Sequence, residues 1–382
     1  MGDNQPILPG STIGILGSGQ LGRMLALAAR QMGYRVHVYS PDQDTPAGHV
    51  ADREVVGGYD DEAKIREFAA AVDVVTFEFE NVPSAASETA AAEALVRPAG
   101  SVLHITQQRL REKNCLKDKG FPVPGFAEIN TLADLEAAAA SLGVPAVLKT
   151  ASFGYDGKGQ QKVMPADSLE TVFTNLGGAQ GIYEAFVDFE KEVSVVAARN
   201  PDGEFLSFPV FENAHANHIL DITFSPAAIS PELAKEADEL ARGIFNALGV
   251  IGVMAVEMFV TKDGKLLVNE LAPRTHNSGH LTIDGCVTSQ FEQQVRAICG
   301  LPLGSTELVA PSAMANLLGD VWSGGEPNWD AALEDDRVKL HLYGKAEARV
   351  GRKMGHLNAT GESVEDAVAR ARSARERLIV RA

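Results

Sequence analysis

Cysteine is scarce in this chain: Cys115, Cys286 and Cys299 are its three, each far from the others. They form neither a disulfide framework nor a closely spaced metal-ligand pair, which points to a reducing compartment, by default the cytoplasm. Positive charge is also in deficit, with 34 Lys and Arg against 51 Asp and Glu and a net charge of -17. A surface of that sign excludes bulk attraction to nucleic acid or anionic membranes, so any anion site must be built from a local basic cluster. No apolar run approaches the ~18 residues of a membrane helix. The start, Met1 to Gly10, has neither a basic leader nor an apolar core and does not read as a secretory signal. Internal repeats and low-complexity linkers are lacking as well.

The rest is ordinary globular material, 45% hydrophobic and 22% charged. At 382 residues the chain is long enough for two or three lobes. From Thr12 it reads as strand, Gly-rich turn, helix and strand (Tyr34 to Tyr39), with a further strand at Val72 to Phe77. That alternation predicts an α/β unit with a parallel sheet. Ser101 to Lys119 reads as one helix, which leads into the Pro-rich turn Phe121 to Pro124. Short strands then follow at Val144 to Thr150, Gln160 to Met164, Ile182 to Val187 and Glu192 to Arg199. They predict an α+β lobe, followed by a helix over Pro231 to Leu248 and a hairpin over Gly252 to Glu270. The tail beyond Leu301 closes on a charged helix from about Ser363. The expected domains are 1–112, 113–300 and 301–382.

Gly17-Ser18-Gly19-Gln20-Leu21-Gly22 fits G-x-G-x-x-G between a strand and a helix, where backbone N–H groups can receive an anion. A dinucleotide site also needs an acid ending the second strand, but that strand ends Val38-Tyr39-Ser40 and Asp42 follows only after Pro41. The pattern thus favours a phosphate-bearing substrate over NAD, with close helix packing as the alternative use of the glycines. A second glycine-rich stretch, Lys149 to Gln160, lies between two strands and carries Lys149 and Lys158. No helix follows it, so it is not a P-loop but reads as a flap over a polyphosphate, the alternative being a solvated hairpin tip.

In the run Val256 to Glu270, Asp263-Gly264 is the favoured centre of a two-residue turn. Counting outward, Lys262 opposes Lys265, Val260 opposes Leu267, and Glu257 opposes Glu270. Facing carboxylates destabilise a hairpin unless something neutralises them, and glutamate oxygens suit Mg²⁺ shared with nucleotide phosphates. The dense polar loop that follows contains Arg274, fit to bind an anion or acyl phosphate. Tyr183 to Val187 could offer backbone groups to an adenine edge and Glu192 could accept ribose hydroxyls, although an ordinary strand looks the same. Lys339, Lys345, Arg349, Arg352 and Lys353 crowd a segment whose only acid is Glu347, which is either a phosphate site or a solvated face.

Taken together these motifs resemble the ATP-grasp superfamily. Within it, GSGQLGRML (17 to 25), FEFENV (77 to 82), FGYDGKGQ (153 to 160), GVMAVEMFV (252 to 260), NELAPRTHNSGH (269 to 280) and GRKMGHLN (351 to 358) look like the 5-(carboxyamino)imidazole ribonucleotide synthases. The resemblance implies an ATP-grasp fold with an N-terminal Rossmann-like parallel-sheet domain and a small C-terminal domain, in a homodimer. It implies ATP and Mg²⁺ as cofactors, with aminoimidazole ribonucleotide and bicarbonate as the other substrates. ATP would meet Arg109, Lys149, Gly154, Tyr155, Asp156, Gly157, Lys158, Gly159, Gln160, Glu184, Ala185, Phe186, Val187, Glu192, His215, Asn269 and Glu270. Glu257 and Glu270 would hold Mg²⁺, while Gln20, Leu21, Glu78, Lys345, Arg352 and Lys353 would bind the ribonucleotide. Tyr155, Asp156 and Arg274 would act at the reacting centre, Arg274 on bicarbonate or carboxyphosphate. Many ATP-grasp enzymes carry an asparagine two residues after the second metal glutamate, where this chain has Ala272. Rival readings are a formate-dependent transformylase of the same architecture, a non-catalytic nucleotide-binding protein and an NAD dehydrogenase.

Overall fold

Strand β1 (Thr12–Leu16) is buried along its whole length, as a central strand covered on both faces must be. It pairs in parallel with β2 (Arg35–Ser40) and β4 (Val74–Phe77). With β3 (Arg53–Val56) and β5 (Leu95–Val96) they form a five-stranded sheet in the order β3-β2-β1-β4-β5. This computed structural model describes residues 5–152 and 159–379. The segment expected to be one helix is two, Gly100–Thr106 and Arg109–Asp118. Gln108 between them leaves helical geometry and accepts a hydrogen bond from the Arg111 N–H, capping the second helix.

A small antiparallel sheet follows in the order β6-β9-β7-β8, made of β6 (Phe126–Ile129), β7 (Ala146–Thr150), β8 (Gln160–Val163) and β9 (Gly181–Ala185). The third sheet is nine-stranded. It contains β10 (Phe189–Arg199), β11 (Phe205–Ser207), β12 (Phe211–Ala216), β13 (Ile219–Ser225), β14 (Gly252–Thr261) and β15 (Leu266–Ala272). From the tail come β16 (Ser312–Leu318), β17 (Val338–Leu342) and β18 (Lys353–Thr360). The order is β15-β14-β10-β12-β13-β16-β18-β17, with β11 beside β10, so the tail strands extend the central sheet through the β13–β16 pair.

Helices pack against this sheet. Pro231–Leu248 starts at Ser230, whose side chain caps Leu233 N–H, and sets Ala237, Ala241, Ile244 and Phe245 on Val193, Val195, Met254 and Val256. Val364–Leu378 sets Ala367, Ala371, Ala374 and Leu378 on Ala313, Ala315, Leu357 and Ala359. The helix Gln290–Ile298 is buried between the first and third sheets. Its Phe291, Val295 and Ile298 share a core with Leu25 and Ala29 of the helix Gln20–Gln31. Its Gln294 donates to Thr76 Oγ1 on β4 (2.9 Å) and accepts from Val253 N–H on β14 (2.5 Å). These two hydrogen bonds tie the end of β4, beyond which Glu78 and Glu80 follow, to the sheet that carries Glu257.

Candidate active site

The helix Arg109–Asp118 joins the two antiparallel sheets, packing Leu110 on Ala151 and Ile182 of the small one and reaching β15 of the large one. Beside it, Lys149 Nζ on β7 donates to Glu184 Oε2 on β9 at 2.6 Å, both side chains nearly buried. Burial alone would raise the Glu184 carboxyl, but Lys149, with Lys113 behind it, holds it below its ordinary range. Its Oε1 is buried without a hydrogen-bond partner among the described residues. Ala185 N–H and Phe186 N–H donate to Gly125 and Pro145 carbonyls, and Val187 leads from β9 into β10. Glu192 on β10 is bonded to His215 Nδ1 on β12. Gly159, at φ +72°, and Gln160 open β8 opposite Lys149. Gly154, Tyr155, Asp156, Gly157 and Lys158 lie outside the described residues.

The hairpin of β14 and β15 departs from the expected turn. Thr261 and Lys265 close a three-residue loop, Lys262 to Gly264, because Gly264 takes the left-handed conformation at φ +77°. Val260 therefore faces Leu266 instead of Leu267, one residue off the expected register. A bulge then places one extra residue, Asn269, between the pairs Met258–Val268 and Glu257–Glu270. The second displacement cancels the first, and the two glutamates do stand opposite each other. Arg109 Nη2 lies 4.0 Å from Glu270 Oε2, and His276 Nε2 lies 2.9 Å from Glu257 Oε1. Burial would raise the Glu257 carboxyl, but His276, helped by His215 and Arg274, brings it down to about 2. Among the described residues no group of three or more His, Cys, Asp or Glu is spaced to hold a metal. Two facing carboxylates fit a Mg²⁺ that takes its other oxygens from phosphates and water.

The glycine loop corrects another expectation. Its anion is internal: Glu78 accepts from Gly19 N–H (2.8 Å, Oε1) and Gly22 N–H (2.9 Å, Oε2), so these amides are not available to a phosphate. Burial raises the Glu78 carboxyl, opposed by those two amides. Gln20 opens the helix on this loop, while the Leu21 side chain is in the core. Arg274 is likewise engaged, its Nε bonded to Glu80 and its Nη1 to Thr275 O. The tail comes to the same place, for a Cβ on Gly344 would sit 3.5 Å from both Arg23 and His49 of the first lobe. Next to it Lys345 Nζ donates to Lys353 O (2.7 Å), and Arg352 donates to Glu347 O (2.9 Å).

Family models match the chain in series: a ribonucleotide synthetase preATP-grasp domain at residues 11–107, an ATP-grasp domain at 114–291 and a phosphoribosylaminoimidazole carboxylase C-terminal domain at 312–370. An N5-carboxyaminoimidazole ribonucleotide synthase of Bacillus subtilis (strain 168) is 44% identical over 92% of both chains. The chain belongs to the N5-carboxyaminoimidazole ribonucleotide synthase family. The synthase of Brucella melitensis is 45% identical over 93% of this chain and 98% of its own. A synthetase of this family solved with ADP superposes with a TM-score of 0.93 at 44% identity, over 97% of each chain. A synthase of Aspergillus clavatus, solved with ADP and 5-aminoimidazole ribonucleotide, superposes at 0.89 with 32% identity, over 96% and 98%.

Several side chains that contact these groups are not marked by the sequence. Glu80 stands inside FEFENV, yet nothing local marks it as the partner of an arginine 194 residues away. Burial would raise its carboxyl, but Arg274 holds it below the ordinary range. His276 reads as one of two loop histidines, and only folding brings it to Glu257. Glu112 and Lys113 look like helix-surface charges and are instead buried beneath β15.

Proposed function

We propose that the chain carboxylates 5-aminoimidazole ribonucleotide on its exocyclic amine, using ATP and bicarbonate, in purine biosynthesis. It does so in the cytoplasm, as a homodimer. Bicarbonate oxygen attacks the γ-phosphorus of ATP, ADP leaves, and carboxyphosphate results. The amine nitrogen then bonds to the carboxyl carbon, taken from carboxyphosphate or from the CO₂ it releases, as phosphate departs and the amine loses a proton. Lys149 and Arg109 hold the polyphosphate, Glu192 and His215 the ribose end. Glu257 and Glu270 would carry Mg²⁺, which when bound neutralises the charge that builds up on the transferred phosphoryl group. Arg274, kept charged and oriented by Glu80, stabilises the carboxyphosphate. Gln20, Leu21 and Glu78 face the ribonucleotide, and Lys345, Arg352 and Lys353 its phosphate.

The observation that carries this reading is the pairing of Glu257 with Glu270 on one face of the hairpin, with Arg109 beside them. Among the described residues no helix is long and apolar enough to cross a membrane. The test is phosphate release by the purified protein with Mg·ATP and bicarbonate. Release that depends on added aminoimidazole ribonucleotide is expected. Stimulation by formate in place of bicarbonate would convert the reading to a transformylase, and no acceptor-dependent release would remove it.

A further inference from the structure

Glu257 and Glu270 face each other only because of the bulge at Asn269. In the register that the turn sets, where Val260 meets Leu266 and Met258 meets Val268, continuing the ladder would place Glu257 opposite Asn269. Glu270 would then oppose Val256 and point to the other face of the sheet, since a one-residue slip reverses every side chain beyond it. The extra residue is therefore what makes the carboxylate pair.

What holds the bulge comes from outside the hairpin. Strand β15 is an edge strand, and the helix Arg109–Asp118 lies along it. Lys113, 1% exposed, sends its ammonium to two successive carbonyls, Val268 O at 3.0 Å and Asn269 O at 2.5 Å. In a regular strand successive carbonyls point to opposite sides, so one donor reaching both requires the chain to be kinked between them. On either side, Leu271 N–H donates to Glu112 Oε2 (3.2 Å) and Val268 N–H to Pro122 O (2.8 Å). Burying a lysine is costly, and a helix contact made for packing alone would be served better by an apolar side chain.

We propose that Lys113 is a positioning residue for phosphoryl transfer: by bridging the carbonyls of Val268 and Asn269 it fixes the bulge that turns Glu270 onto the face of Glu257. This rests on the reading of those glutamates as the Mg·nucleotide carboxylates. It acts through main-chain geometry and touches no substrate.

The experiment measures ADP affinity by calorimetry with and without Mg²⁺, for wild type, Lys113→Met and Glu270→Gln, each first checked for a wild-type circular dichroism spectrum. Wild type binds ADP more tightly with Mg²⁺. In Lys113→Met that Mg²⁺-dependent tightening falls about 10- to 100-fold, while metal-free ADP affinity stays within about twofold. In turnover, the Mg²⁺ needed for half-saturation rises and the KM for aminoimidazole ribonucleotide does not. Should Lys113→Met fail to fold, Lys113→Gln, which keeps a shorter polar donor, is measured in the same way with the same expectation. Unchanged Mg²⁺ tightening in the lysine variants, with tightening lost in Glu270→Gln, overturns the role of Lys113. Equal loss of ADP affinity with and without the metal overturns it too, as general damage to the fold. Tightening retained in Glu270→Gln would instead overturn the metal reading beneath it.

Discussion

Glu192 and His215 sit on neighbouring strands with their side chains bonded and only partly shielded from water, the histidine side chain being 27% exposed. Burial favours its neutral form, but the hydrogen bond and charge of Glu192 outweigh that and raise its pKa from 6.5. A base whose folded pKa is raised adds stability that is complete below its unfolded pKa of 6.5 and fades as pH rises through the higher folded value. The buried His280 and His356 work the other way, their pKa values pushed well below 6.5 by burial, so they lower stability as pH falls. The difference between wild type and Glu192→Gln isolates the pair. We expect the variant to be less stable by about 1–2 kcal/mol at pH 6 and by clearly less at pH 9. Urea denaturation at the two values measures this, and an equal loss at both would mean that the pair is not ionic.

Elements place such residues through contacts that only the folded chain makes. The turn from β1 into the helix Gln20–Gln31 is shaped around Glu78: at Gly17, φ +107°, a Cβ would lie 2.6 Å from Glu78 Cγ. At Gly22 the tightest approaches, to Ala47 Cβ and Glu78 Cγ, are 3.3 Å, and the helix itself favours alanine there. Gly17→Ala should therefore cost about 2 kcal/mol or more, and Gly22→Ala close to nothing. Chemical denaturation of both variants gives the comparison, and equal losses would show that the loop does not depend on Glu78. The glycine pattern, strand and helix of this turn are legible in sequence because they are local. The acid that fills the turn is 56 residues from Gly22, and a phosphate was the natural reading without it. The hairpin teaches the same thing: the alternation of β14 and β15 and the facing glutamates can be read from the chain. The three-residue turn and the bulge cannot, since Gly264 admits more than one turn type and Lys113 acts from another element 156 residues away. The helix break at Gln107 and Gln108 escaped for want of a proline or glycine to mark it.

At the scale of the molecule, chain length suggests two or three lobes, with domains expected at 1–112, 113–300 and 301–382, and the central sheet runs across the last of these boundaries. Ile222 to Ser225 of β13 pair with Ser312 to Ala315 of β16. Ile222 lies in one core with Ala313, Leu317 and the helix Val364–Leu378. Asn316 Nδ2 donates to Leu220 O (2.7 Å) and Asn277 Oδ1 (2.8 Å), and Arg375 binds Asp221 at 2.5 Å. Deleting the tail would leave β13 as a bare edge with an uncovered apolar face, the arrangement most prone to aggregate. The loop that carries Arg274 and His276 would lose its support from Asn316 at the same time. Calorimetry of the whole chain should give one cooperative transition, and a chain ended at residue 311 should give none, aggregating instead. A truncated chain that melts cooperatively and still binds ADP would show the tail to be an independent module, with the ribonucleotide phosphate site added to a finished nucleotide-binding core.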